Sequence, residues 1–303
     1  MNTMKKLLSV ILALSLLLSC LASCSKTDNE SNEGGASTEA DENTQNGKSK
    51  KVLLISVDGM RPDALLSSKH ADHLIQKATY YTDASTVYPS VTLPCHMSML
   101  HGVGPDSHEV FSNQYTPAEE LVDGVAEVVA KSGKSCAFFY NWGPLGDTIS
   151  DAALTERRYI SGETLGWQQA NIDTALACKE YLLTNHTDFT VLYLGNLDEV
   201  GHANGWLSEE YRAALDESLE LVFEILDVLG DEYTVILTSD HGGHDTGHGS
   251  TLPEDMTIPI FLIGKSFPTG TQRSGASILD IAPTIADLLG VSPDQSWDGK
   301  SLK

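Results

Sequence analysis

Lys51-Val-Leu-Leu-Ile-Ser-Val57, followed at once by Asp58, is the stretch on which the fold assignment turns. Its apolar side chains are nearly continuous, with no alternation, as expected of a strand buried on both faces; such strands belong to parallel sheets covered by helices. Four further runs have strand character: Lys134–Tyr140, Phe189–Leu194, Tyr233–Thr238 and Ile258–Ile263. Amphipathic helical patterns lie between or after them, over Ala118–Lys131, Gln168–Thr184, Ser208–Leu229 and Ile278–Leu289. This alternation predicts an α/β fold, a mostly parallel central sheet with helices on both faces. There is no internal repeat.

Outward from that core, the two flanks read differently. Met1–Lys6 carries Lys5 and Lys6 and no acid, and Leu7–Leu18 is almost wholly apolar, the layout of a secretory signal peptide. The apolar run is shorter than the roughly 20 residues of a membrane span. It ends in Leu21-Ala22-Ser23-Cys24, small residues before a cysteine, so residues 1–24 are expected to be a lipoprotein signal with Cys24 as the acylated residue; Cys20 is a weaker candidate. Residues 25–50 are rich in Ser, Asn, Glu, Gly and Thr and contain no aromatic residue, which predicts a disordered tether to the cell envelope. Residues 51–303 are long enough for one large-cored domain.

The first 24 residues hold two of the 19 basic residues and none of the 42 acidic ones, so the remainder carries a net charge of −25. A nucleic-acid partner is therefore not expected. An anionic substrate is not excluded, because bound cations reverse the local field. Cys95, Cys136 and Cys178 show no metal or disulfide spacing, and at least two of them read as small buried residues.

In open α/β sheets ligands bind beyond the carboxyl ends of the strands. Asp58 follows the first run directly, Asp198 follows Phe189–Leu194, and Asp240-His241 follows Tyr233–Thr238. Asp198 and His202 are four apart, so a helical turn puts both on one face. A third imidazole is available at His244 or His248. Carboxylate oxygen and imidazole nitrogen suit zinc, and less selectively manganese or iron. Six such ligands make two three-ligand sites, each with an open position, and two cations about 3.5–4 Å apart form a clamp for in-line displacement at phosphorus. Thr92 stands just before Pro94, which suits the first turn of a helix. Its hydroxyl is either a nucleophile facing free N–H groups at a helix start or simply an N-cap.

Val57-Asp-Gly-Met-Arg-Pro-Asp63, Thr92-Leu-Pro94, Asp198–His202 and Ser239-Asp-His-Gly242, with the tail Ser277–Ile285 and Trp297–Leu302, resemble the alkaline phosphatase superfamily, nearest to its type I phosphodiesterase/nucleotide pyrophosphatase branch. The resemblance implies an alkaline-phosphatase-like fold and two divalent ions, zinc or manganese. Asp58, Asp240, His241 and the Thr92 oxygen would hold one ion; Asp198, His202 and His248 the other. It also implies Asn113, 21 residues after Thr92, as a donor to a phosphate oxygen. The implied activity is hydrolysis of a small phosphorylated substrate, a diester above all, through a phosphothreonine intermediate, with retention at phosphorus. Monoester or phosphonate hydrolysis, phospho-group transfer to another alcohol and a non-catalytic surface lipoprotein are the competing readings. Leu93 and Cys95 depart from the nucleotide-cleaving members, and Tyr140 or Trp142 would have to supply a stacking surface for a base. The setting Thr92-Leu-Pro-Cys-His96 does not suit a sulfatase.

Overall fold

A computed structural model describes residues 51–303. The expected signal (1–24), Cys24 and the tether (25–50) lie outside the described residues. Among the described residues no helix is long and apolar enough to cross a membrane.

Eight strands form one sheet: β1 Lys51–Val57, β2 Ala78–Ser85, β3 Cys136–Tyr140, β4 Glu156–Tyr159, β5 Phe189–Leu194, β6 Tyr233–Thr238, β7 Thr257–Ile263 and β8 Thr271–Arg273. Their order is β4-β3-β5-β1-β6-β7-β2-β8, and only β7 runs against the rest. The sheet is thus α/β and mostly parallel, as the apolar runs imply. β1 sits at its centre, between β5 and β6.

The continuous apolar character of β1 has a direct structural counterpart. Val52 and Leu54 enter one core with Leu93, Met97 and Ile285, while Leu53, Ile55 and Val57 enter a second core with Cys178, Leu182, Tyr211 and Leu215. Burying each such aliphatic side chain contributes roughly 1.5–3 kcal/mol. The three cysteines among the described residues are free, as their spacing implies, and all three are buried.

Three strands have no signal in the apolar pattern. β4 (Glu-Arg-Arg-Tyr) and the three-residue β8 are edge strands, polar on their open sides, and charge on an edge discourages unwanted pairing. β2 mixes polar and aromatic residues and shifts register between Tyr81 and Ala84. The helix expected over Ala118–Lys131 begins only at Val125. Carbonyls that an earlier start would need are already engaged: Val122 accepts from a His101 ring nitrogen and Asp123 accepts from the Trp297 indole. The Ser208–Leu229 pattern is realised as Glu209–Leu226, with the Ser208 hydroxyl capping Tyr211 N–H. Ile278–Leu289 divides into a short 3₁₀ turn and a helix over Ile281–Leu289.

Candidate functional site

The carboxyl ends of the three adjacent strands β5, β1 and β6 deliver the acidic residues to one place. Asp58 follows β1, Asp240 and His241 follow β6, and a helix over Asn196–Asn204 begins just after β5. That helix puts Asp198 and His202 on one face, with His202 Nε2 3.3 Å from Asp198 Oδ2. Two groups result, Asp58–Asp240–His241 and Asp198–His202–His248; within each, the potential ligand atoms lie within 4.8 Å of one another. Between the two imidazoles left open by spacing, the structure brings His248 into the site. His244 instead pairs with Asp255 at 2.7 Å and belongs to neither group.

Two observations show that these residues suit cations. First, Asp58 Oδ1, Asp198 Oδ1 and Asp240 Oδ2 are buried and make no hydrogen bond, which is costly for a carboxylate unless something positive meets it. Second, all three histidines are oriented alike. Nδ1 of His241, His202 and His248 engages the carbonyl of Gly242, Thr246 and Ser90 at 2.8, 3.0 and 2.8 Å. A carbonyl only accepts, so Nδ1 carries the proton and each Nε2 is turned toward the carboxylates. Such backbone anchoring of the far nitrogen is what orients metal-ligating histidines.

The electrostatics carry the same signature. Burial, reinforced by the Asp240 and Asp198 charges, raises Asp58 well above the ordinary carboxylate range. Burial likewise pushes Asp240 up to about 7, with the Asp198 charge adding to it. For Asp198, burial is outweighed by the His202 hydrogen bond and the nearby imidazoles, and its pKa falls. The Asp198 hydrogen bond raises His202 to about 9, while burial, helped by His241, lowers His248 to about 4.

Thr92 is the first residue of the Thr92–His101 helix and Val91 is its N-cap, so Thr92 does not act as the cap. Its hydroxyl lies 3.3 Å from His241 Nε2. The Leu93 N–H at this helix start is not free, as the helix-start reading supposed, but donates to Asn113 Oδ1 at 3.0 Å. This fixes the amide's orientation and leaves Asn113 Nδ2 as a donor. Asn113 and Thr92 line one cavity of about 110 Å³ with Asp58, Asp198, His202 and His248. Of the two aromatic candidates, Trp142 lines that cavity. Tyr140 does not: it is buried, stacked on Phe138 and Tyr159 with ring centres 4.4 and 5.1 Å away.

Several residues at the site have no signal in the sequence. The Tyr193 hydroxyl donates to Asp58 Oδ2. Buried His96 lies one helical turn after Thr92, with Nδ1 2.8 Å from the Thr92 carbonyl and Nε2 3.0 Å from the Ser56 hydroxyl. Trp167, Tyr193, Gly195 and Glu199 also line the cavity. Gly59 is in the left-handed region, and a Cβ there would stand 3.0 Å from Asp198 Oδ1, so the approach of β1 to the Asn196–Asn204 helix depends on glycine.

Residues 52–254 match the family model of type I phosphodiesterases/nucleotide pyrophosphatases. The chain belongs to this family. Among curated proteins, this phosphodiesterase-family chain is 25% identical to bis(5'-adenosyl)-triphosphatase enpp4 of Mus musculus, over 84% of the chain and 58% of that protein. It is 28% identical to human ectonucleotide pyrophosphatase/phosphodiesterase family member 7, over 65% of the chain and 48% of that protein. The chain thus spans about half the length of these relatives. In fold it is similar to murine ectonucleotide pyrophosphatase/phosphodiesterase 5, solved as an inactive threonine-to-alanine form with AMP (TM-score 0.68, 15% identity, 80% of this chain and 96% of that one). It is similar also to the phosphonate monoester hydrolase of Agrobacterium radiobacter (TM-score 0.65, 17% identity, 84% and 76%). The fold is alkaline-phosphatase-like.

Proposed function

We propose that this family member hydrolyses phosphate diesters through a phosphothreonine intermediate on Thr92. The observation that carries the reading is the meeting of three buried carboxylate oxygens that make no hydrogen bond and three carbonyl-anchored imidazoles beside the Thr92 hydroxyl. Asp58, Asp240 and His241, with the Thr92 oxygen, would hold one divalent ion; Asp198, His202 and His248 would hold the other. Zinc fits this donor set and manganese is the alternative. Such ions supply positive charge that favours the ionised hydroxyl and the charge developing on phosphorus-bound oxygens.

The chain's own groups then have defined tasks. Thr92 Oγ1 attacks phosphorus, its O–P bond forming as the bond to the leaving alcohol breaks. Asn113 Nδ2 donates to a phosphoryl oxygen as charge builds there. Water then cleaves the phosphothreonine and regenerates the hydroxyl. The inactive threonine-to-alanine form of the murine relative supports a threonine nucleophile in this fold. A diester is favoured over a monoester because, among the described residues, no Lys or Arg lines the cavity to meet a second phosphate charge.

The leader supports export and anchoring to the bacterial cell envelope through acylated Cys24, with residues 51–303 as the catalytic domain. A panel of bis-p-nitrophenyl phosphate and p-nitrophenyl phosphate, assayed with metal-stripped protein and after adding zinc or manganese, tests the activity. The diester should be turned over faster, and only after metal is restored. Metal-independent turnover, or preference for the monoester, would sink this reading.

A further inference from the structure

The helix that carries Asp198 and His202 has no cap of its own. Gly195, its N-cap, has no side chain to offer its first N–H groups, and such groups need partners when buried. The partners come from two other elements. The Gly195 N–H donates to Asn141 Oδ1 at 3.1 Å, and the Asn196 N–H donates to Asn171 Oδ1 at 3.2 Å. Asn141 Nδ2 donates to the same Asn171 oxygen at 2.6 Å, closing the triangle. Because main-chain N–H groups can only donate, they fix which way both amides point. Asn141 follows β3 directly and Asn171 lies on the Trp167–Thr184 helix; both are buried, at 0% and 2% exposure. The Asn141 carbonyl also accepts from the Gly162 N–H at 2.9 Å, and a Cβ on Gly162 would run into the Trp167 ring at the cavity wall.

We propose that Asn141 and Asn171 form a brace that places Asp198 and His202 and thereby sets the cation affinity of that half of the site. They are positioning residues: neither lines the cavity. The inference rests on the two-cation reading above. It is specific about bond direction. Asn171 acts only as an acceptor in these contacts, so Asn171→Asp keeps every one of them, with its charge near the positive end of the helix. Asn141 both accepts and donates, so Asn141→Asp turns one bond into two opposed oxygens.

The test is zinc binding to the metal-stripped chain, measured by competition with a fluorescent chelator. Wild type should take up two ions, and Asn171→Asp should retain both affinities. Asn141→Asp and Asn141→Ala should weaken one of the two by roughly tenfold, the lower end of what losing a partner bonded directly to a ligand costs, since the brace bonds the helix start and neither ligand. Excess zinc should then restore kcat. Unchanged affinities in a folded Asn141→Asp protein overturn the brace, and so does equal loss in both Asp variants, since loss would then follow packing rather than bond direction. A wild type that binds no zinc overturns the two-cation reading and the brace's role with it. Amide hydrogen exchange on wild type is independent of whether any variant folds. The Gly195 and Asn196 amides should be as protected without zinc as with it; fast exchange in the stripped protein would mean that the ion, and not the brace, places the helix.

Discussion

His241 Nε2 stands 3.3 Å from the Thr92 hydroxyl, 3.3 Å from Asp58 Oδ1 and 3.3 Å from Asp240 Oδ2, while its Nδ1 is held 2.8 Å from the Gly242 carbonyl. One ring nitrogen therefore meets the proposed nucleophile and two acids, and a single backbone bond aims it.

Thr92→Ala should leave the fold intact, weaken binding of the ion that loses the Thr92 oxygen and, even at saturating zinc, lower kcat on a diester by on the order of 10⁴–10⁶-fold, as when a member of a catalytic unit is removed. Thr92→Ser should keep part of the activity. A chiral thiophosphate diester should react with retention; inversion would exclude the covalent route.

Asn113 has one observed contact and one proposed role, and one substitution separates them. Asn113→Asp retains the oxygen that accepts from Leu93 N–H but removes the Nδ2 donor. The expected result is an unchanged melting temperature with kcat lower by about 10²–10³-fold, as for loss of one oxyanion donor. Full turnover in this variant would remove Asn113 from the reaction.

The metal-stripped protein should lose stability as pH rises from 7 to 9. His202 is raised from 6.5 to about 9 by Asp198, so the stabilisation from its proton is complete below pH 6.5 and disappears as pH passes through 9. Raised Asp240 acts in the same sense up to about 7, since the folded state keeps a proton that the unfolded state has released. His96, His108 and His248, all lowered to about 4 by burial, act in the opposite sense, but only below 6.5. Thermal melts across pH 7–9 should therefore slope downward in chelator, and His202→Gln should make the slope shallower, leaving the share of Asp58, raised by burial, and of His244, raised by Asp255. A flat wild-type profile would contradict the Asp198–His202 pairing.

Tyr140 and Trp142 are two residues apart and should fail differently. Tyr140 is stacked in the core, so Tyr140→Ala should cost about 3–5 kcal/mol in urea unfolding. Trp142 lines the cavity, so Trp142→Ala should cost less stability and raise KM for diesters with a bulky leaving group. Equal stability loss with unchanged KM would assign Trp142 to packing.

The buried strands were legible because their two-sided burial leaves apolar runs that need no tertiary context. β2, β4 and β8 were not, because polar strands near a sheet edge resemble loops until a neighbour pairs with them. Asp58, Asp198 and Asp240 could be read as a site from their places after successive strands. His248 could not be separated from His244 by spacing. The choice depends on the Ser90 carbonyl and on Asp255, which engage the two rings from distant parts of the chain.

Composition and pattern alone determined the α/β class, the sheet edge at which acids and imidazoles gather, and the residue types able to hold cations. The tertiary structure decided which atoms face inward. The orientation of His202 and His248, the Tyr193 contact to Asp58 and the bracing of the Asn196–Asn204 helix arise from contacts between residues tens to more than a hundred positions apart, whereas His241 is aimed by its own neighbour Gly242. Local sequence sets backbone preference, but a buried polar atom's partner is chosen by whatever the fold brings within hydrogen-bonding distance.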